Sequence, residues 1–153
     1  MEQFLNKKYK LDRTENFEAM MRELGFNSVM IKIAKTFTTV VQLTKKGDLY
    51  SLNSTIMLFS TSQKFKLGEG KNVTTSDGRK VINIFEIEGN KLIEKQIGEK
   101  TLIIEREYFE DHMIAKAGFE NGLDYIATVH HKPATEAING IELMSIENRG
   151  EEV

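Results

Sequence analysis

Lys80-Val81-Ile82-Asn83-Ile84-Phe85-Glu86-Ile87-Glu88-Gly89-Asn90-Lys91-Leu92-Ile93-Glu94-Lys95-Gln96-Ile97 is the stretch that decides the fold. Two runs rich in Ile and Val flank Glu88-Gly89-Asn90. Gly and Asn tolerate the positive φ that a tight reversal needs, so the stretch predicts a hairpin of strands over Lys80–Glu88 and Lys91–Ile97. The same punctuation recurs outward in both directions. Glycines fall at 47, 68, 70, 78, 89, 98, 118 and 122. Lys46-Gly47-Asp48, Asp77-Gly78 and Asn121-Gly122 are turns of the same kind. Between them lie candidate strands at Thr39–Thr44, Leu49–Thr55, Gln63–Leu67, Leu102–Tyr108, Met113–Ala117 and Tyr125–His131, with another over residues 4–12. The chain's single proline, Pro133, stands beyond all of them, as a continuous hydrogen-bonded sheet requires. Closing such a meander into a barrel removes its exposed edges.

Only residues 14–36 break the pattern. Phe17, Met20, Met21 and Leu24 recur at helical spacing, with Thr14 or Asn16 as cap and Gly25 at the stop. A second short helix follows, capped by Asn27 or Ser28, with Met30, Ile33, Ala34 and Phe37 on one face. The reading is one helix-turn-helix inserted into an all-β chain.

Composition narrows the function. No cysteine means no disulfide and no thiolate metal site. Apolar residues at 40% with 29% charged residues exclude wholesale disorder. A net charge of −2 gives no footprint for nucleic acid. No apolar run reaches the roughly 20 residues of a membrane-spanning helix, and Met1-Glu2-Gln3-Phe4 does not read as a signal peptide. His130 and His131, adjacent on a strand, point to opposite faces, so no metal site is expected. No nucleophile–base pair or phosphate loop is present. Residues 133–153 hold five glutamates against one arginine, so the last 21 residues read as an acidic extension to a unit spanning 1–132.

Strand parity places polar residues inside. Leu102, Ile104, Arg106 and Tyr108 share one face, and Arg79, Val81, Asn83, Phe85 and Ile87 share another. An arginine on an apolar face needs a partner. Arg106 is therefore either paired with a neighbouring carboxylate or set in a cavity to meet an anionic ligand.

The stretch Lys7-Lys8-Tyr9-Lys10-Leu11 followed by Asn16-Phe17-Glu18-Ala19-Met20-Met21-Arg22-Glu23-Leu24 resembles the intracellular lipid-binding proteins. That family includes the fatty-acid-binding and cellular retinoid-binding proteins. Ser54-Thr55 leading into Lys64-Phe65-Lys66-Leu67-Gly68-Glu69, and Thr74-Thr75-Ser76-Asp77-Gly78-Arg79-Lys80-Val81, resemble it too, over residues 4–132 in all. The resemblance implies a ten-stranded antiparallel up-and-down β-barrel, a flattened clam with a short helix-turn-helix lid. It implies a non-catalytic cytoplasmic carrier, monomeric and without cofactor, that binds one long-chain fatty acid or similar hydrophobic carboxylate.

Within that resemblance Arg106 matches the arginine that holds the carboxylate. The family's Arg-x-Tyr pair on the last strand is missing. Thr128 and His130 stand there in one register, while a shift of one residue points Ala127 and Val129 inward. Arg79, Asp77, Tyr108, Phe17 and Met21 complete the expected ligand-binding set. Met30 and Ile33 of the second helix, with Met57, Leu58 and Phe59, are the expected portal; the last three lie in the turn Ile56–Thr61, about two residues longer than usual. Arg22, Lys32 and Lys35 offer a basic surface for an anionic membrane. The competing readings are a retinoid or other lipid as ligand, and a ligand-free interaction module that docks through its acidic tail.

Overall fold

The computed structural model describes residues 1–36, 38–56, 58–75, 77–120 and 122–134, with only the backbone of 122–126. Phe37, Met57, Ser76, Asn121 and residues 135–153, which make up most of the expected acidic extension, lie outside the described residues. Ten strands form one antiparallel sheet: β1 (Lys8–Glu15), β2 (Thr39–Lys46), β3 (Leu49–Ile56), β4 (Phe59–Phe65), β5 (Lys71–Thr74), β6 (Lys80–Glu88), β7 (Lys91–Ile97), β8 (Leu102–Tyr108), β9 (Met113–Phe119) and β10 (Gly122–Pro133). The order is β4-β3-β2-β1-β10-β9-β8-β7-β6-β5. Every neighbour is sequential except the β1–β10 pair, which joins the chain's two ends and curls the meander into a nearly closed barrel. Helices α1 (Phe17–Glu23) and α2 (Ser28–Thr36) sit between β1 and β2 as a lid.

The decisive hairpin forms as expected, with Glu88 paired to Lys91 and Gly89 at φ 60°. The core fills one part of the barrel. Tyr9, Leu43, Phe85, Leu92, Tyr108 and Met113 are buried there, with Phe4 stacked on Tyr108 at 6.1 Å. A second cluster joins Met20 of α1 to Leu102 and Ala127, so α1 rests on the barrel wall. Gly25 takes φ 95°, the left-handed conformation that ends α1, and the Asn27 Oδ1 accepts the Met30 N–H at 2.9 Å to start α2.

Three expectations are corrected. Residues 4–12 are not one strand: Glu2–Phe4 form a short 3-10 helix, Asn6 turns at φ 67°, and β1 starts at Lys8. The reason is Phe4, which is drawn into the core. The Ile56–Thr61 stretch is not a long turn: Ile56 pairs with Phe59 and the Thr55 and Ser60 hydroxyls are 3.0 Å apart, so β4 is Phe59–Phe65 rather than Gln63–Leu67. A short strand at Lys71–Thr74 was not expected, because its polar sequence carries no alternation. On α2 Ile31 is the buried residue, and Met30 and Ile33 are exposed.

Candidate functional site: a polar relay inside the barrel

Residues paired directly across antiparallel strands point to the same face. One inward row therefore runs Ile87, Leu92, Arg106, Ala115, Val129. The next runs Phe85, Glu94, Ile104, Ala117, Ala127, and a third Asn83, Gln96, Leu102, Phe119. Leu92, Glu94 and Gln96 alternate along β7, so the carboxylate of Glu94 is carried inside with the leucine that precedes it.

These rows create a continuous chain of hydrogen bonds. Arg79 Nε donates to Asp77 Oδ2 at 2.6 Å, and its Nη2 donates to Gln96 Oε1 at 2.8 Å. Gln96 Nε2 donates to Glu94 Oε2 at 2.9 Å. Arg106 Nη1 donates to Glu94 Oε1 at 2.8 Å. Glu94 is 1% exposed and the Arg106 side chain 15%, so this is a buried ion pair and not a surface contact. Arg106 thus faces the interior, and a carboxylate already partners it.

Around the relay, four buried polar atoms have no partner among the described residues: Arg79 Nη1, Asn83 Oδ1, Tyr108 OH and His131 Nδ1. Buried polar atoms cost free energy unless satisfied, so these are places for a ligand or water. Burial pushes the Tyr108 phenol up to about 12. His131 is pushed down to about 4, chiefly by burial and then by the Arg106 charge. It is therefore a neutral imidazole near neutral pH, offering Nδ1 as donor or acceptor. Burial raises Asp77, but the hydrogen bonds from Arg79 and Thr75 and the Arg79 charge outweigh it and hold its carboxyl below the usual range.

The register of β10 corrects the expectation for the last strand. Thr128 falls on an outward row with Lys116 and Glu105, and His130 on another with Ile114 and Glu107. His130 Nε2 lies 3.2 Å from Glu15 Oε2 on the outer side of β1. Ala127, Val129 and His131 take the inward positions, and His131 shares a row with Met113 and Tyr108. Bulging of β1 between Leu11 and Arg13 shifts its pairing with β10 by one residue.

The remaining expected residues are spread wider. Met21 is buried and Phe17 half-buried, both on the α1 lid. Met30, Ile33, Leu58 and Phe59 are exposed, on α2 and around the β3–β4 reversal. A cavity of about 360 Å³ lies between the end of α1 (Glu23, Leu24, Gly25) and Arg79, Val81 and Lys100. That volume is within the roughly 300–1,000 Å³ of small-molecule sites. Lys100 Nζ spans it to Glu23, 3.2 Å from the backbone oxygen and 3.1 Å from Oε1. On the lid, Glu18 bonds Lys35 and lies 3.8 Å from Arg22, so the basic surface is partly neutralised. Among the described residues no cluster of histidines and carboxylates is arranged to hold a metal, and no helix is long and apolar enough to cross a membrane.

An antiparallel barrel with a hydrogen-bonding interior beneath a two-helix lid defines the class of small β-barrels that enclose a lipid. Comparison with known proteins agrees. The model of the Lipocalin / cytosolic fatty-acid binding protein family matches residues 7–121. A fatty acid-binding protein of Tyrophagus putrescentiae is 38% identical over 114 residues, covering 74% of this chain and 87% of its own. Among solved structures, the Drosophila melanogaster brain fatty acid-binding protein superposes with a TM-score of 0.78 at 36% identity, over 84% of this chain and 98% of its own. The Schistosoma mansoni protein in complex with arachidonic acid gives 0.79 at 31%, over 88% and 98%. The chain belongs to the Lipocalin / cytosolic fatty-acid binding protein family, and is a lipid-binding β-barrel of its fatty acid-binding type.

Of these interior polar groups the sequence reading names Arg106, Arg79, Asp77 and Tyr108 as ligand-binding candidates, but not Glu94, Gln96 or His131. The signal for the first two was the alternation of Lys91–Ile97 itself.

Proposed function

We propose that the protein is a non-catalytic cytoplasmic carrier, acting as a monomer, that holds one long-chain fatty acid or similar hydrophobic carboxylate inside the barrel. The observation that carries this reading is the buried guanidinium of Arg106 with the unpartnered Tyr108 OH and His131 Nδ1 among the inward groups. A guanidinium makes charge-assisted contacts with a carboxyl group, and two neutral groups can complete its hydrogen bonding. The acyl chain supplies the driving force, at roughly 0.8 kcal/mol per buried CH₂. The bound arachidonic acid of the Schistosoma mansoni protein supports a ligand of this kind. Arg79 and Asp77 extend the polar end of the site, and Phe17 and Met21 line its lid. His131 replaces His130 and Thr128 in this role. The exposed Met30, Ile33, Leu58 and Phe59 form the gate for entry, and Arg22, Lys32 and Lys35 face an anionic membrane during transfer.

Native mass spectrometry of protein purified without delipidation tests the reading. An added mass matching one long-chain fatty acid is expected. An empty protein that also fails to bind a fluorescent fatty acid would overturn it.

A further inference from the structure

The charges inside this barrel already cancel. Two guanidiniums point inward, and each has its own carboxylate: Arg79 with Asp77 at 2.6 Å, and Arg106 with Glu94 at 2.8 Å. The second oxygen of Glu94 accepts a hydrogen bond from Gln96 Nε2. Three other titratable groups on the inner faces carry no charge near neutral pH: Tyr108 of β8, Tyr9 of β1 and the depressed His131 of β10. Lys45, at the rim of β2, is held by Glu2 at 3.1 Å. Among the described residues the inward faces of β4, β6 and β9 add no charged group, and β5 adds one at the solvent-exposed edge, Lys71 opposite Asn83.

Among the described residues, an ionised carboxylate entering this interior meets no unclaimed buried cation. It either adds an uncompensated negative charge or takes Arg106 from Glu94 and leaves that buried carboxylate unpaired. Both are costly in a low-dielectric interior. A neutral head group meets neither cost. The unpartnered atoms suit it, since Asn83 Oδ1 accepts, Arg79 Nη1 donates, and Tyr108 OH and His131 Nδ1 can do either.

We propose that Glu94 makes this barrel selective for amphiphiles with an uncharged head group. Primary amides and alcohols of long-chain acids enter as they are. A fatty acid enters with one proton taken from solution, shared between its carboxyl group and Glu94. This rests on the carrier reading above and narrows its ligand class. The step balances: an ionised carboxylate plus one proton from the buffer becomes one neutral acid in the site. Which of the two carboxyls carries the proton does not alter the count.

The test uses the full chain after delipidation, with oleate, oleamide and oleyl alcohol as ligands below their aggregation concentrations. Calorimetry in buffers of different ionisation enthalpy should show uptake of about one proton per oleate and none per oleamide. The oleate dissociation constant should rise about tenfold per pH unit between about pH 7 and about pH 8.5, while that of oleamide stays flat. Glu94→Gln removes the internal carboxylate, so oleate should then bind without proton uptake and at least about tenfold more tightly at the upper pH. Oleamide should change little. Oleate binding by the unaltered protein with no proton uptake and no loss of affinity at high pH would overturn the proposal and leave the carrier reading standing. That readout does not depend on the variant folding. Failure of all three ligands to bind would overturn both.

Discussion

Glu94 and Arg106 lie diagonally across β7 and β8, one rung apart, and the stability of the pair follows from their burial. Removing one partner strands the other charge in the interior, whereas replacing both with apolar groups leaves none. Arg106→Met should therefore cost about 3–5 kcal/mol, and the Glu94→Leu/Arg106→Met double variant should lie within about 1 kcal/mol of the parent or above it. Urea unfolding of the single and double variants checks this; a double variant as unstable as Arg106→Met would refute it. His131 makes a second prediction at this scale. Its folded value of about 4 lies below the 6.5 of an unconstrained histidine. Between those values the unfolded chain binds a proton that the folded chain does not. The stability it contributes is therefore complete above about pH 6.5 and is lost as pH falls toward 4, roughly 3 kcal/mol in all. The protein's thermal midpoint should fall over that window, and His131→Gln should flatten the curve. Asp77, whose carboxyl is held low, acts in a separate window, below the ordinary aspartate value of 3.8.

Elements whose residues alternate strictly were legible in the sequence. β6, β7 and β8 have the bounds that their Ile- and Val-rich alternation and glycine punctuation predict. β4 and β5 were not, because Phe59-Ser60-Thr61-Ser62 and Lys71-Asn72-Val73-Thr74 read as polar turns. Their pairing comes from the neighbouring strands, through hydroxyl contacts such as Ser51 with Ser62 at 2.6 Å. The site was half legible for the same reason. Parity on β8 put Arg106 inside, and parity on β7 would have put Glu94 there as well. For β10 both faces of Ala127-Thr128-Val129-His130-His131 mix small, apolar and polar residues, so only the ladder with β1 and β9 fixes the register. The α1–α2 reversal was legible at both ends, in Gly25 and Asn27, and it permits a clean test. Asn27→Ala removes the side-chain acceptor for the Met30 N–H. It should cost about 1 kcal/mol of stability and leave the β-sheet spectrum unchanged. A loss below about 0.3 kcal/mol would show that the cap is dispensable, as for a substitution by glycine.

The whole molecule is a barrel with one seam. Sheet order ends at β4 on one side and β5 on the other, so these two strands each have a single ladder partner. Among the described residues a ring stack and a backbone bond link the two sides of the seam. Phe65 of β4 stacks on Phe85 of β6 at 3.8 Å, with Tyr50 of β3 behind it at 5.6 Å, and the Gly68 N–H bonds the Phe85 oxygen at 2.9 Å. Opposite the seam, β1, β10, β9 and β8 each have ladders on both sides. Local opening free energy follows the number of hydrogen-bonded neighbours and the apolar contacts that must be broken. Amide hydrogen exchange should therefore be fastest in β5, a four-residue strand held only by β6, and then in β4. It should be slowest in β8 and β9. Phe65→Ala removes the middle ring of the stack and should cost about 3–5 kcal/mol. Because that ring bridges the seam, the variant should speed exchange in β4 and β5 before any change appears in β9. Uniform acceleration across all ten strands would mean that the barrel opens only as a unit, and that the stack stabilises the whole sheet and not its seam.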